Sequence, residues 1–125
     1  MNTGRNLHSH GHFQSPVSNR QEVSGFGSSG EGDGGDNWII ECESDDVDGY
    51  VYGKTRIFLK HRDSDNYLYT DQGSKFTEHN CRRCPIVGQS EISCIRGRNR
   101  NGGLWKIHSG FFFPEATENY YNEEY

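Results

Sequence analysis

Short apolar-centred runs alternate along this chain with polar, glycine-containing separators. In Thr55-Arg56-Ile57-Phe58-Leu59-Lys60-His61, Ile57 and Leu59 fall on one face at the period of two that an extended strand requires. Asn2-Thr3-Gly4-Arg5-Asn6-Leu7-His8-Ser9 and Asp63-Ser64-Asp65-Asn66-Tyr67-Leu68-Tyr69-Thr70 each read as a polar turn running into an aliphatic-centred strand. Gln21-Glu22-Val23-Ser24, Ser90-Glu91-Ile92-Ser93, Trp38-Ile39-Ile40 and Trp105-Lys106-Ile107 add four more short strands. No apolar run approaches the roughly 18 residues that cross a bilayer as a helix, so no membrane insertion is expected.

These runs recur. Leu7 aligns with Leu68, and its whole neighbourhood follows at an offset of 61. Ser15-Pro16-Val17 and Gln21 to Ser24 align with Cys84-Pro85-Ile86 and Ser90 to Ser93 at 69, and Trp38 aligns with Trp105 at 67. An insertion around Gly73 to Arg83 accounts for the gain of eight, and a shorter loop before the second tryptophan for the loss of two. Loops absorb such changes and paired strands do not. One unit of strand, turn, strand, turn, strand, loop and Trp-led strand is therefore present twice. Thr55 to His61 opens the second copy, and subtracting 61 puts its counterpart before residue 1. The chain is thus expected to begin mid-fold, with the first copy lacking its opening strand. A residue type set at the same place in both copies packs a pseudo-symmetric core, which assigns Trp38, Trp105, Leu7 and Leu68 to that core.

Composition agrees with the strands. Val, Ile, Phe, Tyr and Trp total 28 residues against six of Ala, Leu and Met, which starves a helix of its best formers and excludes a helical bundle. Sixteen Gly and three Pro favour tight turns. The fold class is all-β. The net charge of −5 is blocked: residues 21 to 53 carry nine acids and no Lys or Arg, while Lys54 to Lys106 holds eleven basic residues against five acids. Such blocks either form a two-faced surface or neutralise each other across the fold. Neither suits nucleic acid, which wants a dominant basic stripe.

Candidate chemistry is sparse. Cys81-Arg82-Arg83-Cys84 is spaced for a small disulfide, a redox pair activated by the two arginines, or two metal ligands. Cys42 and Cys94 do not form the second knuckle that a structural zinc site needs. His8-Ser9-His10-Gly11-His12 puts three imidazoles on one face of a strand, an arrangement open to metal but equally that of a solvent-facing edge; no metal or other cofactor is assigned. Asp45 to Gly49 resembles a calcium loop, but the twelfth position is Arg56 where a glutamate is required, so it reads as an acidic hairpin. Arg96 to Gly103 reads as a solvated basic loop. Tyr67, Tyr69 and Asp71, with Tyr50 and Tyr52, are the candidate contacts for a sugar or peptide. No Ser-His-Asp elbow, phosphate loop or dinucleotide fingerprint is present, so no catalytic residue is assigned. The Met1 end has no apolar stretch behind its one positive charge, and Tyr-Asn-Glu-Glu-Tyr matches no retention address, so neither a signal peptide nor a retention signal is read.

Asn2-Thr3-Gly4-Arg5-Asn6-Leu7-His8-Ser9-His10, Gln21-Glu22-Val23-Ser24, Gly35-Asp36-Asn37-Trp38, Arg56-Ile57-Phe58-Leu59-Lys60-His61, Pro85-Ile86-Val87-Gly88-Gln89 and Leu104-Trp105-Lys106 resemble MIR motifs. Their order and wording are most similar to the stromal cell-derived factor 2 family. The resemblance implies a β-trefoil of MIR type, here incomplete, with about two of three repeats in a domain over 1–113. Residues 1–53 would be the second repeat without its first strand and 54–113 the third, followed by an acidic, Tyr-rich tail over 114–125 expected to be disordered. It also implies a non-enzymatic protein of the endoplasmic reticulum lumen, or a secreted one, acting in quality control. The implied partners are a lumenal DnaJ-like co-chaperone and BiP, or unfolded clients. A carbohydrate-binding role, as in the accessory domain of protein O-mannosyltransferases, is the alternative.

Overall fold

A computed structural model describes residues 3–44 and 53–108. The Asp45 to Gly49 hairpin, Tyr50, Tyr52 and the 114–125 tail lie outside the described residues. Seven strands are formed: β1 (Asn6–Gln14), β2 (Gln21–Phe26), β3 (Trp38–Cys42), β4 (Arg56–His61), β5 (Tyr67–Lys75), β6 (Ser90–Ile95) and β7 (Trp105–Lys106). Each apolar-centred run read from the sequence lies on one of them. They make one antiparallel sheet in the order β1-β2-β6-β5-β4-β3, with β7 beside β4. Helix is confined, among the described residues, to a single 3-10 turn over Gly34–Asp36, and none is long and apolar enough to cross a membrane.

The repeat appears as identical strand register. In the first hairpin Asn6 pairs with Phe26, Leu7 with Gly25, Ser9 with Val23 and Gln14 with Gln21. In the second, Tyr67 pairs with Ile95, Leu68 with Cys94, Thr70 with Ile92 and Lys75 with Ser90. Adding 61 to the first member and 69 to the second converts one set into the other, including the irregular stretch before the last pair. The eight-residue insertion therefore starts after Lys75, slightly later than Gly73 to Arg83, because Lys75 is still paired. It lengthens the hairpin connection from 15–20 to 76–89.

The tryptophans obey the same symmetry by other means than filling the core. Trp38 Nε1 donates to the Leu7 carbonyl at 2.9 Å, and Trp105 Nε1 donates to the Leu68 carbonyl at 3.1 Å. Both rings are only half-buried. Leu68 is buried, but Leu7 is 43% exposed, which corrects its assignment to the core. Leu7 lies on β1, which among the described residues pairs with β2 alone. The buried apolar set is Ile57, Phe58, Tyr67, Leu68 and Cys94. Phe58 is buried beside Ile57 while Leu59 is half-buried, so β4 breaks the expected alternation. Arg98 lies over the Phe58 ring at 5.2 Å and Tyr67 meets it edge-on at 6.1 Å, covering the face that should have met solvent.

Candidate functional site

The structure divides the candidate ligand contacts. Tyr67 is buried, and its hydroxyl donates to Glu41 Oε1 at 2.7 Å. Glu41 also accepts from Arg98 Nη2 at 2.9 Å, and its carboxyl is held below the usual range by the Tyr67 hydrogen bond and the arginine together. Tyr67 is thus committed to the fold. Tyr69 and Asp71 are brought together instead, by a residue the sequence reading passed over. The Arg20 guanidinium lies 5.0 Å from the Tyr69 ring centre and donates to Asp71 Oδ2 at 2.9 Å, Ser74 Oγ at 3.0 Å and Glu91 Oε1 at 3.0 Å.

Glu91 is the buried anchor of this cluster, at 1% exposure. An isolated carboxylate there would be costly, and the surroundings answer it. Ser15 and Ser18 hydroxyls and the Ser18 backbone N–H donate to Oε2, the last at 3.1 Å. Burial pushes the Glu91 carboxyl up, but these bonds and Arg20 outweigh it and hold it below its ordinary value. Asp71 behaves likewise: burial opposes its charge, while the Ser74 backbone and hydroxyl and Arg20 favour it more. A cavity of about 570 Å³ opens beside Asp71, lined also by Thr70, Gln72, Ser90, Asn101 and Gly102. Hydroxyl, amide and carboxylate side chains line it, although most of its wall surface is carbon. Gly102 sits at φ +110°, and a Cβ there would fall 2.1 Å from the Thr70 carbonyl oxygen.

A second concavity is walled mainly by apolar side chains. The ends of the sheet curl toward one another where Trp38 of β3 bonds Leu7 of β1, leaving an open groove of about 640 Å³ walled by Leu7, Trp38, Ile39, Ile40 and Leu59, with Asp36 and Arg62 among its polar residues. Ile39 and Ile40 are 43% and 53% exposed.

The remaining motifs resolve as follows. Cys81 and Cys84 form a disulfide, Cα to Cα 5.5 Å, in the connection between β5 and β6. Cys94 is a buried free thiol pushed up to about 12 by burial, and Cys42 is free and half-buried. The Arg96 to Gly103 loop does not simply face solvent: Arg98 pairs with Glu41, and Arg100 with Glu43, which also takes Arg56. The acidic and basic blocks of the chain thus neutralise each other here. Among the described residues, no buried side-chain polar atom lacks a hydrogen-bond partner.

Two hairpins of equal register, each clasped by a tryptophan to its own leucine carbonyl, in one curled sheet, define an all-β, trefoil-like repeat module. No family model matches the chain. It is 40% identical to a stromal cell-derived factor 2-like protein of Dictyostelium discoideum over 91% of its own length and 49% of that protein's. The crystal structure of the SDF2-like protein from Arabidopsis thaliana matches with a TM-score of 0.69 and 30% identity, over 83% of this chain and 51% of that one. The S. cerevisiae protein O-mannosyltransferase Pmt1-Pmt2 complex bound to the sugar donor matches with a TM-score of 0.62 and 28% identity, over 80% and 14%. This chain is a homologue of the stromal cell-derived factor 2 proteins, and it spans about half the length of the curated relatives it matches.

Proposed function

We propose that this chain is part of a non-enzymatic binding protein of the secretory pathway that takes extended, unfolded polypeptide segments. Its setting is quality control in the endoplasmic reticulum lumen, alongside a DnaJ-like co-chaperone and BiP. The observation that carries the reading is the groove between the sheet ends. Leu7, Ile39 and Ile40 line this groove with exposed apolar side chains, which suits seating the apolar side chains of an extended segment. The homology to stromal cell-derived factor 2 proteins supports the same class of role. The test is fluorescence anisotropy with a labelled, apolar, extended peptide. Ile40→Asp weakens binding at least tenfold, and equal binding by both proteins overturns the reading.

The alternative, carbohydrate recognition, draws on the likeness to a mannosyltransferase complex bound to its sugar donor and on the polar side chains beside Asp71. It predicts glycan-array signal that is lost in Tyr69→Ala and retained in Ile40→Asp.

A further inference from the structure

On β1, alternate side chains share a face, so His8 and His10 point the same way. Their rings meet edge to face with centroids 4.5 Å apart. The 3-10 turn Gly34–Asp36, capped by Asp33, packs flush against that face: a Cβ on Gly35 would stand 2.5 Å from the Ser9 carbonyl oxygen and 2.7 Å from His8 Cε1. Only glycine admits so close an approach. It delivers two carboxylates to the imidazoles. Asp33 lies with Oδ1 3.4 Å from His8 Nδ1 and Oδ2 3.4 Å from His10 Nε2, and Asp36 Oδ1 is 2.7 Å from His8 Nδ1. One ligand atom each from His8, His10 and Asp33 lie within 4.8 Å of one another.

We propose that His8, His10 and Asp33 bind a divalent transition-metal ion of the zinc class. Imidazole nitrogen and carboxylate oxygen without thiolate is a donor set such ions accept. The site is held before any ion arrives. His8 is buried, and its ring stacks on Phe26 at 4.3 Å between centroids. Asp33 keeps its place through the Gly35 N–H, which donates to Oδ1 at 2.8 Å, leaving Oδ2 toward His10. Asp36 accepts from Asn6 Nδ2 and from the Asp33 backbone N–H, and its Oδ1 lies 2.7 Å from the same His8 Nδ1 that Asp33 faces, a hydrogen bond that a bound ion replaces. His12, which the sequence pattern offered as the third ligand, stacks on His10 at 5.4 Å and lies outside this set. The third ligand comes from a turn that follows the next strand, not from the row of imidazoles.

The test uses the full chain and zinc chloride alone, by isothermal titration calorimetry, with circular dichroism to confirm folding of each variant. Wild type binds one zinc per chain. His10→Gln and Asp33→Asn each weaken binding at least tenfold, and His12→Gln leaves it unchanged. Asn still accepts the Gly35 N–H, so Asp33→Asn removes the charge while keeping the cap. Absence of zinc binding by wild type, equal affinity in Asp33→Asn, or loss in His12→Gln with retention in Asp33→Asn overturns the proposal.

Discussion

The β1–β2 and β5–β6 hairpins are one piece of structure used twice, and they end up in different surroundings. Their registers superimpose pair for pair, and in each a tryptophan N–H reaches the leucine carbonyl. Yet Leu68 is buried to 4% exposure and Leu7 stands open. The difference is position in the sheet. β5 and β6 lie between β4 and β2, whereas β1, among the described residues, pairs with β2 alone. Local sequence settles which residues pair, and the neighbouring strands settle which are covered.

The polar interiors differ too. Near the first hairpin, Gln21 Nε2 donates to Ser9 at 2.8 Å and Ser64 at 2.9 Å, and Gln21 Oε1 accepts from Asn66 at 2.7 Å, a network without formal charge around buried His61. Between the two hairpins, Glu91 of β6 and Arg20 of the first hairpin's connection form an ionic cluster instead. Removing Glu91 leaves Arg20 with Asp71 and Ser74 but takes the acceptor from the Ser15 and Ser18 donors, so Glu91→Ala lowers unfolding free energy by about 3 kcal/mol. Gln21→Ala leaves only neutral groups unpaired and costs about 1–3 kcal/mol. Urea denaturation measures both, and equal losses would erase the distinction between the interiors.

Next in size is the leucine pair. Leu68→Ala opens a cavity among β4, β5 and β6 and costs about 3 kcal/mol, while Leu7→Ala, already solvated, costs under about 1 kcal/mol. A Leu7→Ala loss matching that of Leu68→Ala would mean that β1 is covered in solution.

The smallest effect is on the acid side. The Glu91 carboxyl titrates lower in the folded chain than its ordinary value of 4.5, so the unfolded chain binds more protons there and stability falls as pH drops below about 4.5. Asp71, Glu41 and Asp36 shift the same way and add to the slope. Glu91→Gln flattens the pH dependence of the melting midpoint between pH 5 and 3, and an unchanged slope would assign acid sensitivity to the other three carboxyls.

Strands, turns and pairing were readable because the code for them is local: an offset that changes only in loops, and a tryptophan at a fixed place after each hairpin. The clusters were not, because their members meet only after folding. Arg20 ends a short turn and Glu91 sits in an ordinary alternating strand, with nothing near either that marks it as half of a pair. Asp33 reaches His10 through a turn placed beyond β2. The arginines at 98 and 100 looked solvated for the same reason, since Glu41 and Glu43 lie 57 residues away. Cys81 and Cys84 were conspicuous by spacing alone, and the structure closes them into one bridge.

The long connection over 76–89 has a consequence for how this unit changes over time. Lys75 pairs with Ser90 as Gln14 pairs with Gln21, so the strands are already locked before the extra residues begin. Going from six connecting residues to fourteen costs under about 1 kcal/mol in closure entropy, and a disulfide from Cys81 in the added stretch to Cys84, the counterpart of Ser15, restricts it further. The insertion thus behaves as a cassette: its length and contents are free to drift, or to be exchanged by an engineer for a reporter or an epitope, while the hairpin beneath keeps its register.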